Sequence, residues 1–186
     1  MILGEWDFAE LLSAAQNGAE WAVSLLYRDL HPRLAKYLGA REPGAAEDIE
    51  SEVWLAIAQR VGDFVGDEQA FRAWAFSIAR RRLMDFRRTA VRRATTPTPV
   101  EYLDGPDRVD VEDTVLDALS AEEAASFVVS TLTDDQAEVV LLRVLGDLDV
   151  TQVSELLHKS PGAIRVLQHR ALRHLERALT EERVTQ

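Results

Sequence analysis

From Phe71 to Arg93 the chain reads FRAWAFSIARRRLMDFRRTAVRR, a pattern that fits a long helix with two unlike faces and no strand. On a helical period Phe71, Trp74, Ala75, Ile78, Ala79, Leu83 and Phe86 fall within one half of the circumference, and Arg80, Arg81, Arg87 and Arg88 lie outside it. One face must be buried against other helices. The other offers a row of guanidinium groups to phosphates, with aromatic rings at its N-terminal end on which unpaired bases can stack. Arginine-rich faces are commonly solvated surface and spaced aromatics commonly core, so the face alone does not decide. Arg82 and Asp85 project onto the apolar side three residues apart, and are expected to pair structurally.

Acidic residues outnumber basic ones 32 to 21, a net charge of -11, which at first argues against a nucleic-acid binder. The distribution reverses that reading. Acid gathers between Glu42 and Glu68 and between Glu101 and Glu123, whereas the stretch from Phe71 to Arg93 has one acid, Asp85, and that from Lys159 to Arg177 has one, Glu176. Two basic islands in an acidic chain suit a protein that touches DNA in two places but binds poorly alone. Hydrophobic content of 47% is enough for ordinary cores. The start, MILGEWDFAELL, has acids where a signal peptide needs a basic start, and no run of apolar residues is long enough to span a bilayer, so a cytoplasmic protein without membrane insertion is expected. There is no cysteine, and four scattered histidines lack metal-ligand spacing. With no phosphate loop and no nucleophile paired to a base, the chain is expected to be no enzyme and to hold neither cofactor nor metal.

Helical spacing predicts two helices between Trp6 and Leu38, broken near Asn17 and Gly18, with Pro32 as a place for a kink. A third, Ala45 to Val61, carries Glu47, Asp48, Glu50 and Glu52 in its first two turns, where carboxylates complement the helix dipole, and puts Ile49, Val53, Ala56, Ile57 and Arg60 along one side. The loop GDFVGDEQ, 62–69, holds Phe64, an aromatic that needs a partner, and leads into the arginine-rich helix. Beyond Arg93 a run of threonine, proline and acid predicts a linker. Further helices are expected over Ala121 to Ser130, over Leu132 to Leu145 with a Thr133/Gln136 capping box, and over Asp149 to Leu157 with an Asp149/Gln152 box. The last begins at Ser160 with Pro161 in its first turn, turns Ile164, Leu167, Ala171, Leu175 and Ala178 inward, and points Arg165, Val166, His169, Arg170 and Arg173 outward. Helix, short turn, then a helix with basic outward positions is the helix-turn-helix plan, whose second helix enters the major groove. The fold class is all-α: two small helical domains, 1–93 and 120–186, joined by a flexible acidic linker over 94–119, the second domain a helix-turn-helix.

These residues resemble a known family over nearly the whole length. EDIESEVW at 47–54, FVGD at 64–67, FRAW at 71–74 with Ile78, Arg80 and Asp85, and the run from Leu148 through Gly162, Ile164 and His169 to Ala171 occur in the order found in the extracytoplasmic-function sigma factors of bacteria. The resemblance implies an RNA polymerase sigma factor that directs promoter recognition, DNA opening and initiation. It implies that 1–93 is domain two, binding the polymerase clamp and the start-proximal promoter element, and 120–186 domain four, binding the start-distal element. Asp48, Glu52, Trp54 and Leu55 would contact core RNA polymerase. Phe64, Gly66, Asp67, Phe71 and Trp74 would shape a loop holding a flipped non-template base, with Arg80, Arg81, Arg87 and Arg88 on nearby strand and phosphates. Ser160, Arg165, His169, Arg170 and Arg173 would position or read the start-distal duplex. An anti-sigma factor is implied as inhibitor and as the route by which the protein could be held at a membrane.

Three positions depart from the family pattern: Ser51 replaces the usual glutamine, Arg81 a common asparagine, and His158 the usual glycine of the turn. The first weakens one polymerase contact, the second alters start-proximal preference, and the third requires histidine in a conformation glycine adopts more easily. The alternative reading is a one-component helix-turn-helix regulator that binds operator DNA alone as a dimer.

Overall fold

The computed structural model describes residues 7–95 and 121–185. Most of the expected linker lies outside them. Four helices come first: α1 (Phe8–Gln16), α2 (Glu20–Arg41), α3 (Ala46–Arg60) and α4 (Glu68–Thr95). Four follow: α5 (Ala121–Thr131), α6 (Asp134–Val144), α7 (Val150–Leu157) and α8 (Pro161–Thr185). No strand occurs among the described residues, and none of their helices is long and apolar enough to cross a membrane.

The break between α1 and α2 falls where the sequence puts it. Asn17 ends α1 with its backbone N–H on the Ser13 carbonyl, the Gly18 N–H takes the Ala15 carbonyl, and Gly18 turns the chain at φ +81°. Helix α2 continues through Pro32 to Arg41, because its stripe of Ala22, Leu26, Leu30, Leu34, Tyr37 and Leu38 is held in the core on both sides of the proline. Ile49, Val53, Ala56 and Ile57 of α3 face the same core, whereas Arg60, expected on that side, is exposed at the helix end.

The apolar face of α4 is close to the expected one, with two exchanges. Phe71, Ala75, Ile78, Ala79 and Leu83 are buried; Phe86 is exposed, and the fully buried aromatic is instead Phe76, edge-on to Tyr37 at 5.5 Å between centroids. The other exchange is electrostatic. Arg82 does not pair with Asp85: it lies 3.7 Å from Glu52 of α3, while Asp85 takes Arg88 at 2.8 Å. The i,i+3 spacing that suits 82 with 85 suits 85 with 88 equally, and a neighbouring helix supplies the competing acid.

In the second group the Asp149 box forms as expected, Asp149 and Gln152 exchanging bonds of 2.8 and 2.9 Å. The Thr133 box does not: Thr133 makes no side-chain cap bond, and Gln136 is buried. Gly146 ends α6 because a Cβ there would sit 2.6 Å from the Leu142 carbonyl oxygen.

The two groups touch. Helix α5 packs along α2, α4 meets α7, and one continuous apolar cluster runs from Leu11 to Ile164. At the seam the Tyr37 hydroxyl donates to Glu138 at 2.8 Å, Arg80 donates to the same oxygen at 3.2 Å, and Arg41 lies 3.3 Å from the other. Burial, and then the Glu138 carboxylate, push the Tyr37 phenol well above its ordinary range, against the opposing pull of Arg41 and Arg80. A raised folded-state value favours the neutral phenol, so its contribution is whole below the unfolded value of about 10 and is lost as pH rises through the folded value. Phenolate absorbance is therefore expected to reveal one tyrosine, absent in Tyr37→Phe, that stays neutral beyond the ordinary range until the chain unfolds. Ordinary titration of Tyr37 would contradict the seam.

Candidate nucleic-acid interface

A loop aromatic is costly unless something covers it, and Phe64 is covered by two rings from the first turns of α4. Its centroid lies 5.2 Å from Phe71, edge-on, and 5.1 Å from Trp74; Phe71 and Trp74 are 5.5 Å apart, and Phe8 of α1 closes the far side of Phe71 at 5.8 Å. Phe71 is buried and supports the others, whereas Trp74 is half-buried. Gln16 reaches from α1 to donate to the Val61 and Phe64 carbonyls at 2.9 and 2.8 Å, fixing the loop. A Cβ on Gly66 would meet Phe64 Cζ at 2.9 Å, so the chain can turn this tightly over the ring only with glycine there. Asp67 accepts from the Ala70 N–H at 2.7 Å and caps α4. Val65, at the tip, is 93% exposed.

Beside Trp74 a groove of about 290 Å³ is lined by Arg60, Ile78, Arg81 and Arg82. An aromatic edge and three guanidinium groups thus share one depression, suited to a base and its phosphates. Arg60 and Arg82 are the members that helical projection misses, because it assigns both to the buried side.

The expected row of free cations on α4 is largely engaged. Arg80 is tied to Glu138, Arg87 to Glu42 at 2.5 Å and the Arg41 carbonyl at 2.8 Å, and Arg88 to Asp85. Arg72 is buried among Asp29, Glu68 and Asp147. Arg81 is exposed and has no ion pair among the described residues.

On α3, Asp48, Glu52 and Leu55 are exposed, Leu55 by 60%. Trp54 is half-buried against Tyr27, 4.6 Å away, and its indole N–H donates to Glu50 at 3.0 Å. Glu50 also holds the His31 ring at 2.5 Å, and His31 stacks on Tyr27 at 4.7 Å. Tyr27, His31 and Glu50 therefore set the orientation of Trp54, a role that spacing within α3 alone does not reveal.

Between α7 and α8, His158 takes the left-handed conformation, φ 53° and ψ 40°, that the turn demands; for a residue with a Cβ this costs about 1–2 kcal/mol. The turn is closed by the Lys159 N–H on the Ser154 carbonyl at 3.1 Å and by the Ser154 hydroxyl donating to the Lys159 carbonyl at 2.5 Å. Ser160 accepts from the Ala163 N–H at 3.2 Å, so its hydroxyl caps α8. Ile164 and Ala171 are buried, and Arg165, His169, Arg170 and Arg173 are exposed along the opposite face.

The family descriptions Sigma-70 region 2 and Sigma-70, region 4 match residues 26–93 and 123–175. The chain is also 32% identical over 189 aligned positions to the ECF RNA polymerase sigma factor ShbA of Streptomyces griseus, covering 92% of this chain and 94% of ShbA. The chain belongs to the ECF RNA polymerase sigma factors. It is 35% identical to another, BldN of Streptomyces coelicolor, over 93% of this chain and 66% of BldN's length. Two solved structures share the fold: the sigma factor RpoE bound to the anti-sigma factor NepR from Bartonella quintana, TM-score 0.67, 17% identical, covering 85% of this chain and 96% of that one; and CnrH with the cytosolic domain of CnrY, TM-score 0.63, 18% identical, covering 94% and 97%.

This sigma factor is thus a non-enzymatic initiation factor, and the reading as a lone operator-binding regulator falls away. Its structure brings Phe64, Gly66, Asp67, Phe71 and Trp74 into one loop-and-helix unit. It gathers Arg165, His169, Arg170 and Arg173 on one face. Of the four α4 arginines singled out by sequence, Arg81 joins the groove beside Trp74, while Arg80, Arg87 and Arg88 are held elsewhere by acids.

Proposed function

We propose that this sigma factor opens promoters through three surfaces. The exposed acids and Leu55 of α3, with Trp54 behind them, dock on core RNA polymerase. The Phe64/Trp74 pocket holds an unpaired base of the start-proximal element, with Arg81, Arg60 and Arg82 on its phosphates. The outward face of α8 sits in the major groove of the start-distal duplex. Residues 1–93 act as domain two, 120–186 as domain four, and 94–119 as the tether. The observation that carries the reading is Trp74, packed on the loop residue Phe64 and lining a groove with three arginines, an arrangement that a duplex-only reader does not need.

Asp67, the cap of α4, and Ser160, the cap of α8, place these surfaces rather than read bases. An anti-sigma factor that covers the α3 face or the promoter-facing helices is the proposed inhibitor, as RpoE of Bartonella quintana is solved bound to NepR. Run-off transcription by purified core polymerase, with and without this chain, on a pool of genomic promoter fragments tests the whole assignment. Discrete starts that depend on the chain are the expected result. Silence, with tight operator binding by the chain alone, would overturn it.

A further inference from the structure

Four side chains of α2 and α3 form a closed ring of contacts. Glu50 and Trp54 lie one turn apart on α3, and the Trp54 indole N–H donates to Glu50 Oε1 at 3.0 Å. Tyr27 and His31 lie one turn apart on α2, stacked with 4.7 Å between centroids and 11° between planes. Two contacts join the helices: Trp54 meets Tyr27 at 4.6 Å, and His31 Nδ1 lies 2.5 Å from the same Glu50 Oε1. The ring therefore closes through one carboxylate oxygen. Of its members the family resemblance gives a role to Trp54 alone.

Glu50 differs from the acids around it. Asp48 and Glu52 are exposed, whereas the Glu50 side chain is 13% exposed and bonds inward to His31 and Trp54. A carboxylate withdrawn from water adds little stability over an aliphatic side chain of similar size, but a fully bonded one fixes the geometry of its partners. Here the partners are rings at a surface. Tyr27 is 41% exposed, and Trp54 is half-buried next to the exposed Leu55, so an aromatic surface runs on from the α3 face onto α2. A ring free to change rotamer must be ordered when a partner docks, which weakens binding by about two- to tenfold for each side chain immobilised.

We propose that Glu50 and His31 are positioning residues for polymerase binding: they hold Trp54 against Tyr27 before the partner arrives, so that the docking face continues from α3 onto α2 through Tyr27. This role rests on the polymerase docking proposed above. Core polymerase is the occupant because the aromatic surface is continuous with the exposed Asp48, Glu52 and Leu55. Positioning through Trp54 and a direct contact by the Glu50 charge have opposite consequences for one substitution. Glutamine keeps an oxygen for the indole N–H and the His31 ring but carries no charge, so it preserves positioning and would abolish a charge contact.

Two measurements on the full chain test the role: affinity for purified core polymerase, and fluorine NMR of the chain labelled with fluorotryptophan, in which Trp54→Phe identifies one resonance among four tryptophans. Glu50→Ala is expected to lower affinity about tenfold, because two rings must then be ordered on binding, and to move the Trp54 resonance while the other tryptophans stay in place. Glu50→Gln is expected to keep affinity within about threefold and the resonance near its original position. Tyr27→Leu, which removes the surface that Trp54 meets, is expected to lose about tenfold. A charge-matched control, Glu10→Ala, exposed on α1, is expected to change neither readout. If Glu50→Ala costs helicity by circular dichroism, His31→Ala, whose side chain is partly exposed, carries the same test with a loss of about threefold and the same movement of the Trp54 resonance. Unchanged affinity in Glu50→Ala, or a loss in Glu50→Gln equal to that in Glu50→Ala, overturns the positioning role. Unchanged affinity in Tyr27→Leu overturns the continuation onto α2. An unaltered chain that binds no core polymerase removes the docking reading itself and this role with it, an outcome distinct from binding that the substitutions leave untouched.

Discussion

Trp74→Ala lowers the stability of the open promoter complex by roughly 5- to 150-fold, the equivalent of about 1–3 kcal/mol for one lost base–aromatic stack. The side chain is half-buried, between Phe64 at 5.1 Å and a groove lined by Arg60, Arg81 and Arg82. Without the indole a base entering that groove keeps its phosphate contacts but loses the plane on which to stack. Trp74→Phe restores most of the effect because a smaller plane remains. Polymerase binding stays within about twofold, since Asp48, Glu52 and Leu55 project from exposed positions on α3 and none of them lines the groove. Permanganate reactivity of melted thymines, beside a direct affinity measurement with core polymerase, separates the two. Equal loss of opening and of polymerase binding would remove the pocket assignment. Phe71→Ala is not a clean substitute: Phe71 is 2% exposed, and its loss costs about 3–5 kcal/mol of fold stability.

The helices were legible because each carries a local signal: the turn at Asn17 and Gly18, the Asp149/Gln152 box, and Pro161 at the start of α8. The pocket was legible for a related reason. Phe64 stands in a polar loop seven residues before a second aromatic that begins a helix, and glycine between them permits close approach. What local pattern cannot show is which charge meets which. Helical projection places Arg82 three residues from Asp85, yet Glu52 of α3 and Arg88 of the next turn take the two apart. It places Arg80 on a solvated face, yet Glu138, 58 residues away, holds it. Phe76 shows the same limit for the core: it sits off the central line of the apolar stripe and is fully buried, because α2 brings Tyr37 across α4 at that point. Helix faces are read from spacing, whereas partners are set by the packing of segments distant in sequence.

Replacing Arg165 and Arg173 together by alanine is expected to weaken binding to the start-distal duplex by roughly a hundredfold or more, taking about 1–3 kcal/mol for each arginine that reads a base edge. The two lie eight residues apart on the exposed face of α8, a little over two turns and so about 12 Å along the axis, within the reach of one helix in one major groove. Because Ile164 and Ala171 on the opposite face fasten α8 to its neighbours, the fold loses nothing with the two exposed guanidinium groups. Polymerase binding through α3 is likewise preserved. The single variants divide the roles. An arginine that bonds a guanine loses discrimination at one base pair when replaced, with other sequences little affected. An arginine that bonds a phosphate weakens all sequences alike and lowers the slope of log affinity against log salt by about 0.9. Electrophoretic or fluorescence titration of holoenzyme on promoter fragments over a range of salt distinguishes these outcomes, and unchanged promoter affinity in the double variant would take α8 out of the recognition scheme.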